Sequence, residues 1–450
     1  MISGFISRGV GVVGTPIFTR LLTPLEYGLY PLYTTWLSLT SSLITSALAG
    51  AAVYRGLQRY ADRREEFISA AIGFGLMLSG SLLLFILFFG KTLSYAIGLE
   101  YGVLIMLGTE CALSTVIAIK SAELRFEYKY RSLAAVNILS AILTPLLSVL
   151  FVLLTPYKSA ARIFGSLSVA VIIAMPMLLG SIARGKRMYN RELWRYLLRI
   201  GLPLIPQYAC SALILRVSEM VIGRSHGRAA LAGYSVGVSV GLALSFLTNA
   251  LIQAISPWIM RKLDRGEGEK ISAVVTASVK ALMLASLPVM ALAPEILSII
   301  TTPEYREALP TVYPLALAAP LMLPSGLSRS ADSFYERGAR SALPTLTAAS
   351  VSVLAALSIL PHVDYRLSPL FTLAAYGILA ILSVLSFKKS SGNPLVNAPK
   401  CTLTFAFCLF YGALLFALRD VLILRVILIV PLIPSAIGLA REVLAIIREK

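Results

Sequence analysis

The stretch SRGVGVVGTPIFTR, residues 7–20, decides how this chain is read. Gly9, Gly11 and Gly14 spell G-x-G-x-x-G, which in a soluble enzyme marks a dinucleotide cradle. That fingerprint needs a strand before it, a helix after it and an acid about 20 residues on. Here the glycines lie inside one apolar run, and the next acid, Glu26, already belongs to the following loop. Small residues at such spacing let membrane helices approach closely. The segment reads as a first transmembrane span. It has no basic leader and no small-residue cleavage site, so it is expected to be retained.

The rest of the chain agrees. Of 450 residues, 57% are hydrophobic and 14% charged, against about 45–50% and 25% in globular proteins. Mean hydropathy is +0.82. About fourteen stretches are long and apolar enough to cross a bilayer: 2–19, 29–52, 67–90, 101–119, 133–154, 163–183, 197–221, 230–257, 271–291, 311–333, 342–360, 368–387, 401–418 and 421–438. The tail from Leu439 to Lys450 reads as a short amphipathic helix. The expected fold is an all-α integral membrane protein.

The net charge of +18 raises the question of nucleic acid, which would need a basic patch on a soluble surface. The lysines and arginines instead fall in short gaps between apolar runs. With the N-terminus in the cytoplasm, about 25 of the 40 lie in inside loops or the tail, about nine outside and about six within spans. That bias accounts for the charge without a nucleic-acid partner and returns the C-terminus to the cytoplasm. No loop exceeds about 20 residues, leaving no room for a catalytic domain outside the membrane. Cys111, Cys210, Cys401 and Cys408 lie in apolar runs without a C-x-x-C pair and read as inert thiols. His226 and His362 lie in separate loops, so no metal site is expected.

A weak internal repeat organises the spans. YGLYPLYTTWLSLTSSLITSALAGAAVYR, residues 27–55, is echoed by LAGYSVGVSVGLALSFLTNALIQAISPWIMR, residues 231–261. Each reads as a Gly–Tyr turn (Gly28 and Tyr30; Gly233 and Tyr234), a Ser/Thr/Ala-rich span, then Arg55 or Arg261 at the cytoplasmic exit. An offset of six spans makes the repeats parallel, about an axis along the membrane normal. The expected architecture is two six-helix lobes with pseudo-two-fold symmetry around a central cavity. Residues 1–195 form the first, 196–390 the second, and 391–450 carry two appended spans and the tail. Pro16 in span one and Pro203 and Pro206 in span seven occupy matching lobe entries. Two readings stand for them: bending points of a transporter, or ordinary tolerated prolines.

Charges within spans are rare and costly, and mark candidate sites. Arg8, Lys280, Arg216 and Arg329 are candidate contacts for an anionic headgroup, because guanidinium forks match phosphate oxygens. Glu110, Glu219 and Asp332 are candidates for ion coupling, since a buried carboxylate can carry a proton or hold sodium. Simpler readings stand beside these. Arg216 with Glu219, and Arg329 with Asp332, are three apart and can pair along a helix. Glu110 and Lys280 could form a structural pair, and Arg8 could snorkel. Arg425, near the outer face, is expected to snorkel.

The motifs then acquire a family. Ser7-Arg8, Arg20-Leu21-Leu22, Pro24 and Glu26-Tyr27-Gly28 resemble the opening of the polysaccharide-biosynthesis exporters. These are oligosaccharide-lipid flippases of the multidrug/oligosaccharidyl-lipid/polysaccharide exporter superfamily, with a MATE-like fold. GLPLIPQYACSALILRVSEMVIG, residues 201–223, resembles the family's second signature, as do AGYSVG and PWIMRKL after it. The chain departs from the family at Glu219, where aspartate is usual, and at Met220, where arginine often follows.

The resemblance implies flipping of polyprenyl-(pyro)phosphate-linked oligosaccharide across the cytoplasmic membrane by alternating access. The headgroup would enter a cationic cavity while the isoprenoid tail stays in lipid. Lipid II flippases resemble this fold and use first-helix arginines, which favours Arg8 as a headgroup contact. No cofactor is implied beyond a coupling ion, Na+ or H+, and no G-K-[ST] loop for ATP is present. The expected partners are the glycan substrate and membrane lipids, with the protein a monomer. A cation-coupled small-molecule or multidrug exporter of the same fold is the alternative. A membrane glycan polymerase or ligase would need a large outer loop that the chain lacks.

Overall fold

The computed structural model describes residues 14–46, 48, 52–264, 268–334, 338–432, 434 and 438. Arg8, Gly9 and Gly11 of the opening stretch lie outside the described residues, as do Arg441, Glu442, Arg448 and Glu449 of the tail. The described chain is helical, with no strand among the described residues. Among the described residues, eleven helices are long and apolar enough to cross a membrane, from Ala61–Ile97 to Ala398–Ala417. They coincide one for one with expected spans three to thirteen. Spans one, two and fourteen are not among the eleven.

Two compact units divide the chain, residues 1–232 and 233–450. The first begins with a helical stretch at 14–21, then α1 (Pro24–Tyr27) and α2 (Leu29–Ser41). The turn between span one and α1 is written in the sequence. Thr23 caps α1, Pro24 opens it, and Glu26 returns a carboxylate to the Thr23 backbone N–H at 2.9 Å, a capping box. Span two does not stay α-helical. At Ser42–Ser46 it widens to a π turn, and helix resumes as α3 (Val53–Arg59). Two hydroxyls bond back to the helix just before it: that of Thr40 donates to the Trp36 carbonyl and that of Ser42 to the Ser38 carbonyl. Such back-bonding competes with the helix ladder.

Four long helices follow in this unit: α4 (Arg64–Ile97), α5 (Tyr101–Phe126), α6 (Tyr130–Leu154) and α7 (Lys158–Gly185). α4 packs on α5, and α6 along α7. A core of Val53, Leu57, Phe67, Ile72, Val116 and Ile119 fills the space between α3, α4 and α5. The C-terminal half of α4 exposes Leu84, Phe85 and Phe88, as a lipid-facing surface must. The amphipathic α8 (Arg191–Gly201) docks on α4. A 3-10 turn at Leu202–Leu204, containing Pro203, joins it to α9 (Ile205–Ser225), which Pro206 helps open. α9 packs against α2 and the π turn.

α10 (Gly227–Gly241) contains the boundary between units. Its start corrects one expectation. Gly233 and Tyr234 are not a turn but lie inside the helix. The turn falls at Gly227, whose φ of +86° is a left-handed conformation that glycine adopts without steric cost.

The second unit continues with α11 (Ser245–Asp264), α12 (Gly268–Ala291), α13 (Ala293–Ile300) and α14 (Leu309–Phe334). It closes with α15 (Gly338–Ser358), α16 (Ser368–Ser391), α17 (Ala398–Ala417) and α18 (Leu422–Ile429). α14 is its central helix, packing on α11, α12 and α16.

Arg425 on α18 corrects a second expectation: it does not snorkel. It is 2% exposed and forks onto Glu295 of α13 at 2.6 and 2.9 Å, with a further hydrogen bond to the Ala291 carbonyl. A guanidinium with a bidentate carboxylate at hand gains more from that partner than from reaching for the headgroups.

Candidate functional site

α2 organises the polar interior of the first unit. Its sequence, LYPLYTTWLSLTS, mixes aromatic and hydroxyl residues in an otherwise apolar span. Tyr33 and Thr35 are both buried, and two residues apart on a helix they leave in opposed directions. Each meets a carboxylate.

On one side, the Tyr33 hydroxyl donates to Glu110 Oε2 of α5 at 2.5 Å. Ser166 of α7 donates to the same oxygen at 3.2 Å. Glu110, 9% exposed, is therefore buried but not lone. The Tyr33 donor, with the Ser166 hydroxyl shared between Glu110 and the Ile163 carbonyl at 2.8 Å, offsets part of the cost of burying this group. On the other side, the Thr35 hydroxyl donates to Glu219 of α9. Arg216, one helical turn earlier, donates to both Glu219 oxygens at 2.8 and 3.1 Å. Glu219 is 2% exposed while the Arg216 side chain keeps 28%. The pair is thus a buried carboxylate held by a half-buried cation.

A third group was not singled out from the sequence. Arg162 lies one residue before the expected start of span six, yet it is 7% exposed. Its guanidinium carbon sits 4.0 Å from the ring centre of Tyr30, 4.2 Å from Phe18 and 4.5 Å from Tyr27. Its Nη1 is buried without a hydrogen-bond partner among the described residues. Cation–π attraction of about 0.5–2 kcal/mol per ring offsets part of the desolvation. The signal available in the sequence was phase: Arg162 and Ser166 are four apart, so the arginine shares the buried face of α7.

Lys280, Arg329 and Asp332 all lie in the second unit. Lys280 on α12 is half-buried and near Cys401 of α17. On α14, Arg329 is half-buried and Asp332 buried, and neither is without a partner. α12, α14, α16 and α17 also enclose an apolar cleft of about 270 Å³, walled by Met283, Leu321, Ile381 and Phe405 among others. Its lining is chemically suited to an alkyl chain. Among the described residues, no group of three or more His, Cys, Asp or Glu side chains is placed to hold a metal ion.

Packed apolar spans with charged groups satisfied inside define a multi-pass membrane protein. The polysaccharide biosynthesis protein family matches residues 1–262, more than half of the chain, and the chain belongs to that family. No curated protein matches it by sequence. Among solved structures, the lipid II flippase MurJ in an inward closed conformation aligns with a TM-score of 0.68 at 14% identity. That alignment covers 98% of this chain and 99% of the flippase. An outward-facing multidrug resistance MATE transporter of the MOP superfamily aligns at 0.64 and 13% identity, covering 87% of this chain and 94% of the transporter. A MOP superfamily transporter from Pyrococcus furiosus aligns at 0.60 and 16% identity, with the same coverage. The fold is the one these transporters share.

Proposed function

We propose that this protein flips a polyprenyl-(pyro)phosphate-linked oligosaccharide across the cytoplasmic membrane by alternating access. The observation that carries the reading is family membership in polysaccharide biosynthesis on a transporter fold. The coverage adds support: the lipid II flippase accounts for 98% of the chain and the multidrug transporters for 87%. The N- and C-termini would be cytoplasmic, following the arginine and lysine bias. The protein would act as a monomer, without catalytic chemistry of its own.

In this reading the moving bodies are the repeat-defined lobes, residues 1–195 and 196–390, with 391–450 appended. Arg8, Lys280, Arg216 and Arg329 would meet the phosphate. Pro16, Pro203 and Pro206 would let the first helix of each lobe bend. The Thr35–Glu219 hydrogen bond joins span two to span seven, which the repeat-defined division would assign to different lobes, although both lie in the compact unit 1–232. Alternating access would break and remake it, with Arg216 holding the carboxylate in between. Glu110 and Asp332 would couple the cycle to Na+ or H+.

The test is flipping of a labelled polyprenyl-linked sugar in proteoliposomes. Transport is expected, and Arg8→Ala is expected to lower it at least tenfold. Full transport in Arg8→Ala would remove the headgroup role of that residue. Drug efflux without flipping would instead favour the cation-coupled multidrug exporter, which the MATE likenesses keep as the second reading.

A further inference from the structure

The amphipathic helix α8 makes a cleft with the membrane face of α4 that the flipping reading does not use. The cleft measures about 590 Å³, within the range of sites that hold small ligands. Phe74 and Met77 of α4 wall one side, and Leu198 and Leu202 the other. Arg191, Arg195 and Arg199 also line it. They recur every four residues and so stack along one edge of the helix. All three are exposed, and none has a hydrogen bond or ion pair among the described residues.

Three stacked cations repel one another, and like charges four apart on a helix are destabilising. The helix is nonetheless firmly held. Asn190 caps it, accepting from the backbone N–H groups of Glu192 and Leu193, and donates from Nδ2 to Glu66 of α4 at 2.9 Å. The Trp194 indole N–H donates to the carbonyls of Ala70 and Met188. The nearest acid on the helix, Glu192, faces Arg63 at 3.8 Å and leaves the row uncompensated. The cleft opens onto the same face of α4 that exposes Leu84, Phe85 and Phe88, so its apolar floor continues into lipid-facing surface.

From this arrangement we infer that the α8–α4 cleft is a binding site for an anionic phospholipid of the surrounding bilayer. The phosphate lies on the arginine row, which offers paired N–H donors at matching spacing. The first segment of an acyl chain lies against Phe74, Met77 and Leu198. A zwitterionic lipid would bring its own cation to a row of cations, so charge complementarity selects the anionic class. The bound lipid relieves the repulsion along α8. Because α8 leads through the 3-10 turn into α9, the lipid steadies the entrance to span seven.

The full-length protein in mixed micelles, titrated with phosphatidylglycerol or phosphatidylcholine and read by native mass spectrometry, tests the site. Retention of phosphatidylglycerol is expected to exceed that of phosphatidylcholine at least fivefold. Changing Arg191, Arg195 and Arg199 together to glutamine should abolish that preference. The exposed lysines Lys388, Lys389 and Lys400, changed to glutamine, remove the same charge elsewhere and should leave retention within twofold. Met77→Trp fills the cleft with all three arginines intact and should reduce retention at least fivefold, while thermal unfolding in phosphatidylcholine stays unchanged. Equal losses in the arginine and lysine variants would overturn the site in favour of diffuse attraction. Full retention in Met77→Trp would overturn the cleft. Saturation by undecaprenyl phosphate, with phosphatidylglycerol no better than phosphatidylcholine, would overturn the phospholipid and assign the cleft to the carrier lipid.

Discussion

At the scale of single residues, the buried charges of this protein divide by how they are satisfied. Glu219 takes Arg216 and Thr35, Glu110 takes two hydroxyls, and Arg162 takes three aromatic faces. Removing one partner should cost more than removing a pair. Arg216→Ala is expected to destabilise the protein at the low end of ~3–5 kcal/mol, because Arg216 keeps 28% exposure. Adding Glu219→Gln should recover most of that loss in thermal unfolding, and a loss that persists in the double variant would refute the unpaired carboxylate as its cause. Arg162→Ala should cost about 2 kcal/mol through lost ring contacts and the void left behind. Arg425 and Glu295 supply the pH dependence. Glu295 lies between spans nine and ten, and the Arg425 guanidinium holds its carboxyl below the ordinary glutamate value of 4.5. A depressed carboxyl stabilises the fold fully above its ordinary value, and that contribution fades as pH falls through the lower folded value. The melting difference between the protein and Glu295→Gln should therefore be constant from pH 8 to 6 and shrink below about pH 4.5. Glu295 remains one-third exposed, so screening keeps the difference small. A difference that grew with acid would refute the pairing.

Local sequence explains the helices better than it explains their interruptions. The Thr23-Pro24-Leu25-Glu26 capping box was written in the chain, as was the proline-marked entry to α9. The π turn of span two was not expected, since its hydroxyls compete with the ladder only at positions that packing selects. Gly28 shows why the first hairpin needs a residue without a side chain. A Cβ built there would collide with the Arg228 carbonyl oxygen. Gly28→Ala should therefore push the start of α2 off the start of α10 and cost about 1–3 kcal/mol. Arg228→Ala should not rescue it, because the obstacle is backbone. Rescue would place the clash in the side chain instead. The expected Gly233–Tyr234 turn failed for a related reason: at Gly227 the chain already had a glycine whose backbone could reverse.

For the whole molecule, hydropathy located eleven helices that the structure also has. It could do so because backbone in lipid must satisfy itself, which leaves the helix as the form open to an apolar run. Topology across the membrane follows from charge and is directly testable. In a protein with its four native cysteines replaced, single cysteines at Lys158 and Arg366 should react with an impermeant thiol reagent in intact cells. Cysteines at Lys129 and Lys388 should react only after permeabilisation. The reverse pattern would invert the proposed orientation and with it the direction of flipping.

Composition and periodicity by themselves determined the class of protein, the approximate span boundaries and a short list of buried charges, because each depends on local transfer energy along one segment. The family was legible in the first hairpin and in span seven, where backbone turns demand particular residues. Tertiary structure alone decided which charges have partners. Glu110 and Tyr33 are 77 positions apart, Thr35 and Glu219 are 184 apart, and Arg425 and Glu295 are 130 apart. No periodicity encodes such distances. Arg162 was missed for the same reason: nothing local to the edge of span six shows that Phe18, Tyr27 and Tyr30 surround its guanidinium.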